Sequence, residues 1–367
     1  MQDQLPDLPR KGRGAVSNHV GRYECHEREA VDDGWRHDAA EQDAALETPA
    51  LRTELIRDTS RTIIARNESP DVPFDRSINP YRGCEHGCIY CFARPTHAWL
   101  GLSPGLDFES RIFYKPDAAK LLDKELRRRG YQCRTMAMGT NTDPYQPAER
   151  TLRITRTILE VLAAFNHPVG IVTKSALVLR DLDILGPMAE KGLAQVCVSV
   201  TTLDRDLART LEPRAATPQK RLDTIRALSE AGIPTGVMAA PVIPALNDDE
   251  LEDILATGRR AGADLAAYIL LRLPLEITDL FEEWLDAHAP DRASRVMSLV
   301  RGTRGGQSYD ATFGQRMKGT GPYADMLRRR FEITSQRLGF NKGERFQLDE
   351  TQFRPPLERD GQLALFG

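Results

Sequence analysis

No stretch of the chain approaches the ~18 apolar residues of a membrane span, and the polar start Met1-Gln2-Asp3-Gln4 lacks a signal peptide's apolar core. A cytoplasmic protein with no membrane contact is expected. An excess of one charge is also missing. The chain has 50 Lys and Arg against 53 Asp and Glu, a formal net charge of −3, which argues against a histone-like basic binder. Cysteine is too sparse for a disulfide scaffold, with six in 367 residues. No Gly-Lys-Ser/Thr opens a helix, so there is no P-loop.

Half of those cysteines stand together. Cys84, Cys88 and Cys91 lie in Tyr81-Arg82-Gly83-Cys84-Glu85-His86-Gly87-Cys88-Ile89-Tyr90-Cys91-Phe92, while Cys25, Cys133 and Cys197 are scattered. In a reducing compartment a tight cluster of this kind points to a metal site rather than to crosslinks. Gly83 and Gly87 allow the tight backbone turns that let three thiolates converge. Three ligands leave a four-iron cluster with one iron open, and reactive metal sites keep such a position free. Thiolate softness suits zinc equally well. His86 and His97 are candidate fourth ligands for zinc, but zinc sites usually draw on a second cysteine pair downstream, which this chain lacks.

Residues 1–50 read as a disordered tail. A basic stretch (Arg10, Lys11, Arg13, Arg22) precedes an acidic one, with too few apolar residues to offset the entropy of ordering. A lead-in at 51–76 contains Thr62-Ile63-Ile64-Ala65, a candidate added strand. From Ser77, short apolar runs alternate with amphipathic helices. Expected strands are Ser77-Asn79, Thr135-Met138, Val169-Thr173, Val196-Val200, Thr235-Ala239 and Ala267-Leu271. Between them, Ala118, Leu121, Leu122 and Leu126 share one helical face, as do Ile154, Ile158, Val161 and Leu162. Thr217-Pro218 reads as a helix N-cap and first position, and Asn247 as a second N-cap.

Such alternation gives an α/β fold with a parallel sheet. The roughly 200 residues from Ser77 to Pro274 hold about six βαβ units at ~30 residues each, short of the ~250 of a closed barrel. A partial (β/α)6 TIM-like barrel over 77–288 is therefore expected, with a doubly wound sheet as the competitor. Residues 289–367 read as a separate C-terminal extension. Its Arg301-Gly302-Thr303-Arg304-Gly305-Gly306, Lys318-Gly319-Thr320-Gly321-Pro322-Tyr323 and Arg328-Arg329-Arg330 could grip phosphate, cover the barrel mouth or face solvent.

The cysteine motif, with aromatic Tyr90 before its last cysteine, resembles the signature of the radical S-adenosylmethionine (SAM) superfamily. Ile78-Asn79-Pro80-Tyr81-Arg82-Gly83-Cys84 and Thr142-Asp143-Pro144-Tyr145-Gln146-Pro147 resemble its spore photoproduct lyase-like branch. The resemblance implies a [4Fe-4S] cluster on Cys84, Cys88 and Cys91. It also implies that the open iron chelates SAM and that reductive cleavage yields a 5′-deoxyadenosyl radical. A reducing partner such as flavodoxin or ferredoxin is implied too, with nucleic acid kept open as substrate. Tyr90 matches the position beside adenine. Thr140, Asn141 and Asp143 match the segment that holds the methionine amino group, although the usual Gly-Gly-Glu is absent. Lys174 matches a carboxylate partner and Ser199 a cofactor-contacting serine. If Ser199 points into the barrel, Cys197 does so one layer deeper. Glu212-Pro213-Arg214 offers either a carboxylate-binding guanidinium or a solvated turn. The lyase's additional cysteine beyond the second strand is missing, since Met138-Gly139-Thr140-Asn141 stands there. Tyr145 is the candidate substitute hydrogen donor, in a catalytic role. The alternative function is a non-catalytic zinc-bearing module that binds nucleic acid.

Overall fold

A computed structural model describes residues 7–23, 51–342 and 347–357. Its strands are β1 (Glu54–Arg57), β2 (Ile64–Arg66), β3 (Arg76–Ile78), β4 (Tyr81–Arg82) and β5 (Arg111–Tyr114), followed by β6 (Met136–Met138), β7 (Val169–Thr173), β8 (Ala194–Ser199), β9 (Thr235–Val242) and β10 (Leu265–Leu270). The main sheet has the order β10-β9-β8-β7-β6-β3-β2. Six neighbouring strands run parallel, and β2 adds an antiparallel edge against β3.

That order is sequential along the chain, with no point where it reverses. Right-handed crossovers then place every helix on the same side of the sheet. Leu122, Ile158, Leu162, Leu185, Leu222, Ile225 and Leu255 accordingly form one core with Met136, Met138, Ile171, Val196, Val198 and Val237. Each such side chain contributes about 1.5–3 kcal/mol on burial. The other strand face is left to a concave interior, so the sheet is a partial barrel and not a doubly wound sheet. Strand parity holds: Cys197 lies beside Gly236 in the β8–β9 register, where a Cβ on Gly236 would stand 2.7 Å from the thiol sulfur. Ser199 shares that face two residues on.

All six expected parallel strands are present to within a few residues, and the added strand falls at β2. Thr217 caps the helix Pro218–Glu230 as expected, accepting from the Lys220 amide. Asn247 does not cap. Its Oδ1 accepts from the Ile243 amide at 2.6 Å, and its Nδ2 donates to the Thr201 and Pro241 carbonyls at 2.7 and 3.0 Å. Buried carbonyls at the ends of two strands outcompete the helix terminus for this side chain. A three-stranded sheet, β1-β5-β4, has no counterpart in the sequence reading.

Two expected segments differ from the structure. Residues 7–23 of the expected tail are packed on the domain, with Arg10, Arg13, Ala15, Val16 and Ser17 buried; residues 1–6 and 24–50 lie outside the described residues. The C-terminal extension is also not separate. Phe281 and Trp284 of the helix Ile277–His288 share a core with Val296 and Val300 of the next helix, Pro290–Gly302. The helix Gly321–Leu338 packs Phe331 on Tyr268, with ring centroids 4.8 Å apart, and Arg330 grips Glu252. Phe353 then returns to Tyr131 near the N-terminal end of β6. No helix among the described residues is long and apolar enough to cross a membrane.

Candidate active site

The chain leaves β3 at Ile78, forms the short β4, and turns at Gly83 into the cysteine loop. Gly83 and Gly87 take φ of +81° and +67°, the left-handed region that favours glycine. The Cys84 amide donates to Phe108 O at 3.0 Å, and the Cys91 amide to Cys88 O at 3.2 Å. Ile89 N donates to Leu211 O at 3.1 Å, tying the loop to the region beyond β8.

Arg94 organises this loop, a role that sequence reasoning missed. It is fully buried, and it donates to the carbonyls of Gly87, Cys88, Pro104 and Gly105 and to the Glu109 carboxylate. Glu109, also fully buried, accepts in addition from the Gly14 and Ala15 amides at 2.9 and 2.8 Å. Arg13 donates to the Glu109 and Leu51 carbonyls, both at 2.6 Å. The N-terminal segment is thereby bonded to the loop's own anchor. Arg214 is neither a free guanidinium nor a solvated turn: it pairs with Glu85 of the loop at 3.0 Å and donates to Thr53.

Burial raises the thiol pKa of all three cysteines. For Cys88 the Glu212 charge adds to that effect while Lys174 opposes it. Thiols in this setting ionise readily only when a metal cation replaces the proton. Among the described residues, no three His, Cys, Asp or Glu groups converge as ligands of one ion. Both expected histidine ligands are engaged elsewhere. The His86 ring lies 3.4 Å from Asp143, and His97 Nε2 bonds to Arg111 O at 3.0 Å while the ring packs on Phe108. Burial pushes His97 down to about 4. Three thiols in one loop, with both histidines committed elsewhere, fit the donor set of an iron–sulfur cluster with one open iron.

Beside the loop, the C-terminal ends of β7 and β8 bring three expected residues together. Lys174 Nζ donates to Ser199 Oγ at 3.0 Å and lies 5.7 Å from the Tyr90 ring centroid. The Tyr90 hydroxyl donates to Glu212, which also accepts from Arg221. Burial raises Glu212, and the Arg221 charge opposes the rise. Burial lowers Lys174, against the pull of Cys88. Arg221 further donates to Ser199 O at 3.1 Å, so a buried guanidinium fixes the strand end that carries the serine.

Asp143 is committed to the protein. It accepts from the Tyr145 and Lys174 amides at 2.8 and 2.7 Å and from Thr173 Oγ1 at 2.8 Å. Burial alone would raise its pKa, but His86 and these donors hold it below the ordinary carboxylate range. It links the cysteine loop to β7. Thr140 and exposed Asn141 have no side-chain hydrogen bonds among the described residues, so they remain the groups in this segment with acceptors to offer an ammonium. Tyr145 is not brought to the site. It is fully buried under Arg180, and burial plus the nearby Asp181 push its hydroxyl well above its ordinary value. It belongs to the core cluster that holds Ile158 and Leu162 of the helix Ile154–Ala164. That removes it as a donor to a substrate in the barrel.

Residues 78–257 match the family model described as the Radical SAM superfamily. An uncharacterised protein of Mycobacterium tuberculosis is 40% identical over 242 residues, covering 65% of this chain and 71% of that protein. Another, from Methanocaldococcus jannaschii, is 28% identical over 200 residues, covering 54% and 71%. Among solved structures, a spore photoproduct lyase variant superposes with a TM-score of 0.56 at 16% identity, covering 82% of this chain and 92% of that one. A spore photoproduct lyase complexed with a dinucleoside spore photoproduct gives 0.55, also at 16%, covering 78% and 80%. At that identity the likeness concerns the fold. Taken with the cysteine loop and the six parallel strands, these matches show that the chain belongs to the radical SAM superfamily and has the fold of the spore photoproduct lyases.

Proposed function

We propose that Cys84, Cys88 and Cys91 hold a [4Fe-4S] cluster and that the chain is a radical SAM enzyme acting on a substrate that enters the open barrel. The observation that carries this reading is the juxtaposition of the three thiols, Cys84 buried and Cys88 and Cys91 half-buried, with Lys174, Ser199 and Tyr90 at the strand ends. When bound, the cluster and SAM supply a 5′-deoxyadenosyl radical able to abstract hydrogen. Lys174 offers a cation to the methionine carboxylate, and Ser199 orients that cation through its 3.0 Å bond. Tyr90, pinned by Glu212, presents an aromatic face beside the loop. Thr140 and Asn141 offer oxygens to the ammonium. Arg94, Glu109 and residues 13–15 close the loop against water.

Nucleic acid is the substrate class we favour, supported by the fold shared with an enzyme bound to a dinucleoside photoproduct. The ending of the reaction differs from that enzyme's route. No cysteine stands in the loop directly after β6, and Cys133 precedes that strand, beside Glu350 of the returning C-terminal segment. A flavodoxin or ferredoxin is the proposed reductant. The test is anaerobic incubation with dithionite and SAM, following 5′-deoxyadenosine by chromatography. Slow release that vanishes in Cys88→Ala is expected. Release unchanged in that variant would refute the cluster assignment.

A further inference from the structure

Five arginines of the C-terminal region are already bound. Arg301 pairs with Glu282, Arg304 donates to the Gln315 and Leu271 carbonyls, Arg316 holds Asp71, Arg328 pairs with Asp325, and Arg330 grips Glu252. Arg272, two residues beyond the end of β10, is not bound in this way. It is only partly exposed, yet its guanidinium has no hydrogen-bond acceptor among the described residues. It stacks over the Phe92 ring, 4.3 Å from the centroid. Phe92 follows Cys91 directly and is 40% exposed.

Its five donors, held over an aromatic face and unpaired within the described residues, are left to water, which an incoming oxyanion can replace with a charge-assisted bond. Its charged surroundings define what would fit. Arg304, Arg316, Asp71 and Tyr309 lie within electrostatic reach, and Asp310 acts on Arg304. Asp71 is neutralised by Arg316 and by the Gly314 amide. Asp310 is turned to the Thr312 amide of its own loop. The Tyr309 hydroxyl has no hydrogen-bond partner among the described residues and can add a donor. The stack fixes the guanidinium plane, which favours two-pronged binding of a carboxylate or phosphate oxygen pair.

We propose that Arg272, stacked on Phe92 and assisted by Tyr309, is a subsite for an oxyanion of the substrate at the rim beside Cys91. The assignment rests on the radical SAM reading for the word substrate, while the anion site itself stands on the geometry. It would hold one end of a phosphate- or carboxylate-bearing molecule and leave the rest over the concave face.

Phenylglyoxal labelling of the reconstituted holoprotein, with SAM saturating and arginine adducts mapped by mass spectrometry, tests this in the wild-type chain. Arg272 should react faster than Arg304 and Arg316, and inorganic phosphate or acetate should slow it several-fold. Sodium chloride at equal ionic strength should not. Stronger protection by phosphate assigns a phosphate group, and stronger protection by acetate a carboxylate; either supports the subsite. Labelling that neither anion slows, or that chloride slows equally, overturns it. Iron is assayed on the same samples, so an absent cluster is read separately from an absent anion site.

Discussion

Arg94 gives five hydrogen bonds from a position with no exposed surface, and four of its acceptors are main-chain carbonyls. A neutral replacement leaves those carbonyls and the Glu109 carboxylate unpaired in the interior. Breaking a buried pair in this way costs about 3–5 kcal/mol. Arg94→Met should lower the urea midpoint accordingly, whereas Arg209→Ala, in a pair whose side chains are 75% and 83% exposed, should stay within about 0.5 kcal/mol of wild type. Equal midpoints for the two variants would remove the anchoring role. Asp143 makes a pH prediction. Its folded pKa lies below the unfolded value near ~4. The stability it adds is therefore present above that value and is lost as pH falls through the folded pKa. Wild type should lose more stability on acidification below about pH 4 than Asp143→Asn. Denaturation midpoints at a series of pH values measure this, and parallel profiles would contradict it. The sequence made the proposed metal ligands legible because their spacing is itself the signal. It hid Arg94, since an arginine reads as a surface charge until its carbonyl partners from residues 87, 88, 104 and 105 are brought together.

The main strands were readable as short apolar runs, and parity along β8 was enough to put Cys197 and Ser199 on one face. The small β1-β5-β4 sheet was not. Its strands have four, four and two residues, and β1 is mostly exposed, so neither run length nor alternation marks it. The N-terminal strap escaped for a different reason. Two of its anchoring bonds come from the backbone amides of Gly14 and Ala15, which polar composition does not reveal. A Cβ on Gly14 would stand 1.9 Å from the Gly87 carbonyl oxygen. Gly14→Val should therefore displace the strap and loosen the loop beneath it. Faster amide exchange across residues 84–94 and quicker iron loss in air are the expected outcomes, and exchange matching wild type would show that the strap is incidental.

Across the whole molecule, chemistry is concentrated at one end of the strands. Cys84, Cys88, Cys91, Lys174, Ser199 and Arg272 all follow or terminate strands at their C-terminal ends, where parallel barrels build active sites. Cys133 and the returning segment around Phe353 and Glu350 lie at the other end. The Arg316–Asp71 pair joins the loop beyond Pro290–Gly302 to the loop after β2, and Met317 O accepts from Leu270 N of β10 at 2.9 Å, so the two edges of the open sheet are linked through one strap. Cys133→Ser should accordingly leave 5′-deoxyadenosine release unchanged, and a loss of release would mean that this cysteine takes part.

The central claim is that the three thiols hold a cluster whose open iron is completed by SAM beside Lys174. Electron paramagnetic resonance of the reduced, reconstituted chain, recorded before and after adding SAM, tests it most directly. A four-iron signal that changes when SAM is added is predicted. In Lys174→Ala the signal should persist, but the change should need about tenfold more SAM, the loss expected for one charge-assisted bond. A spectrum indifferent to SAM, or stoichiometric zinc with no iron signal, would contradict the account.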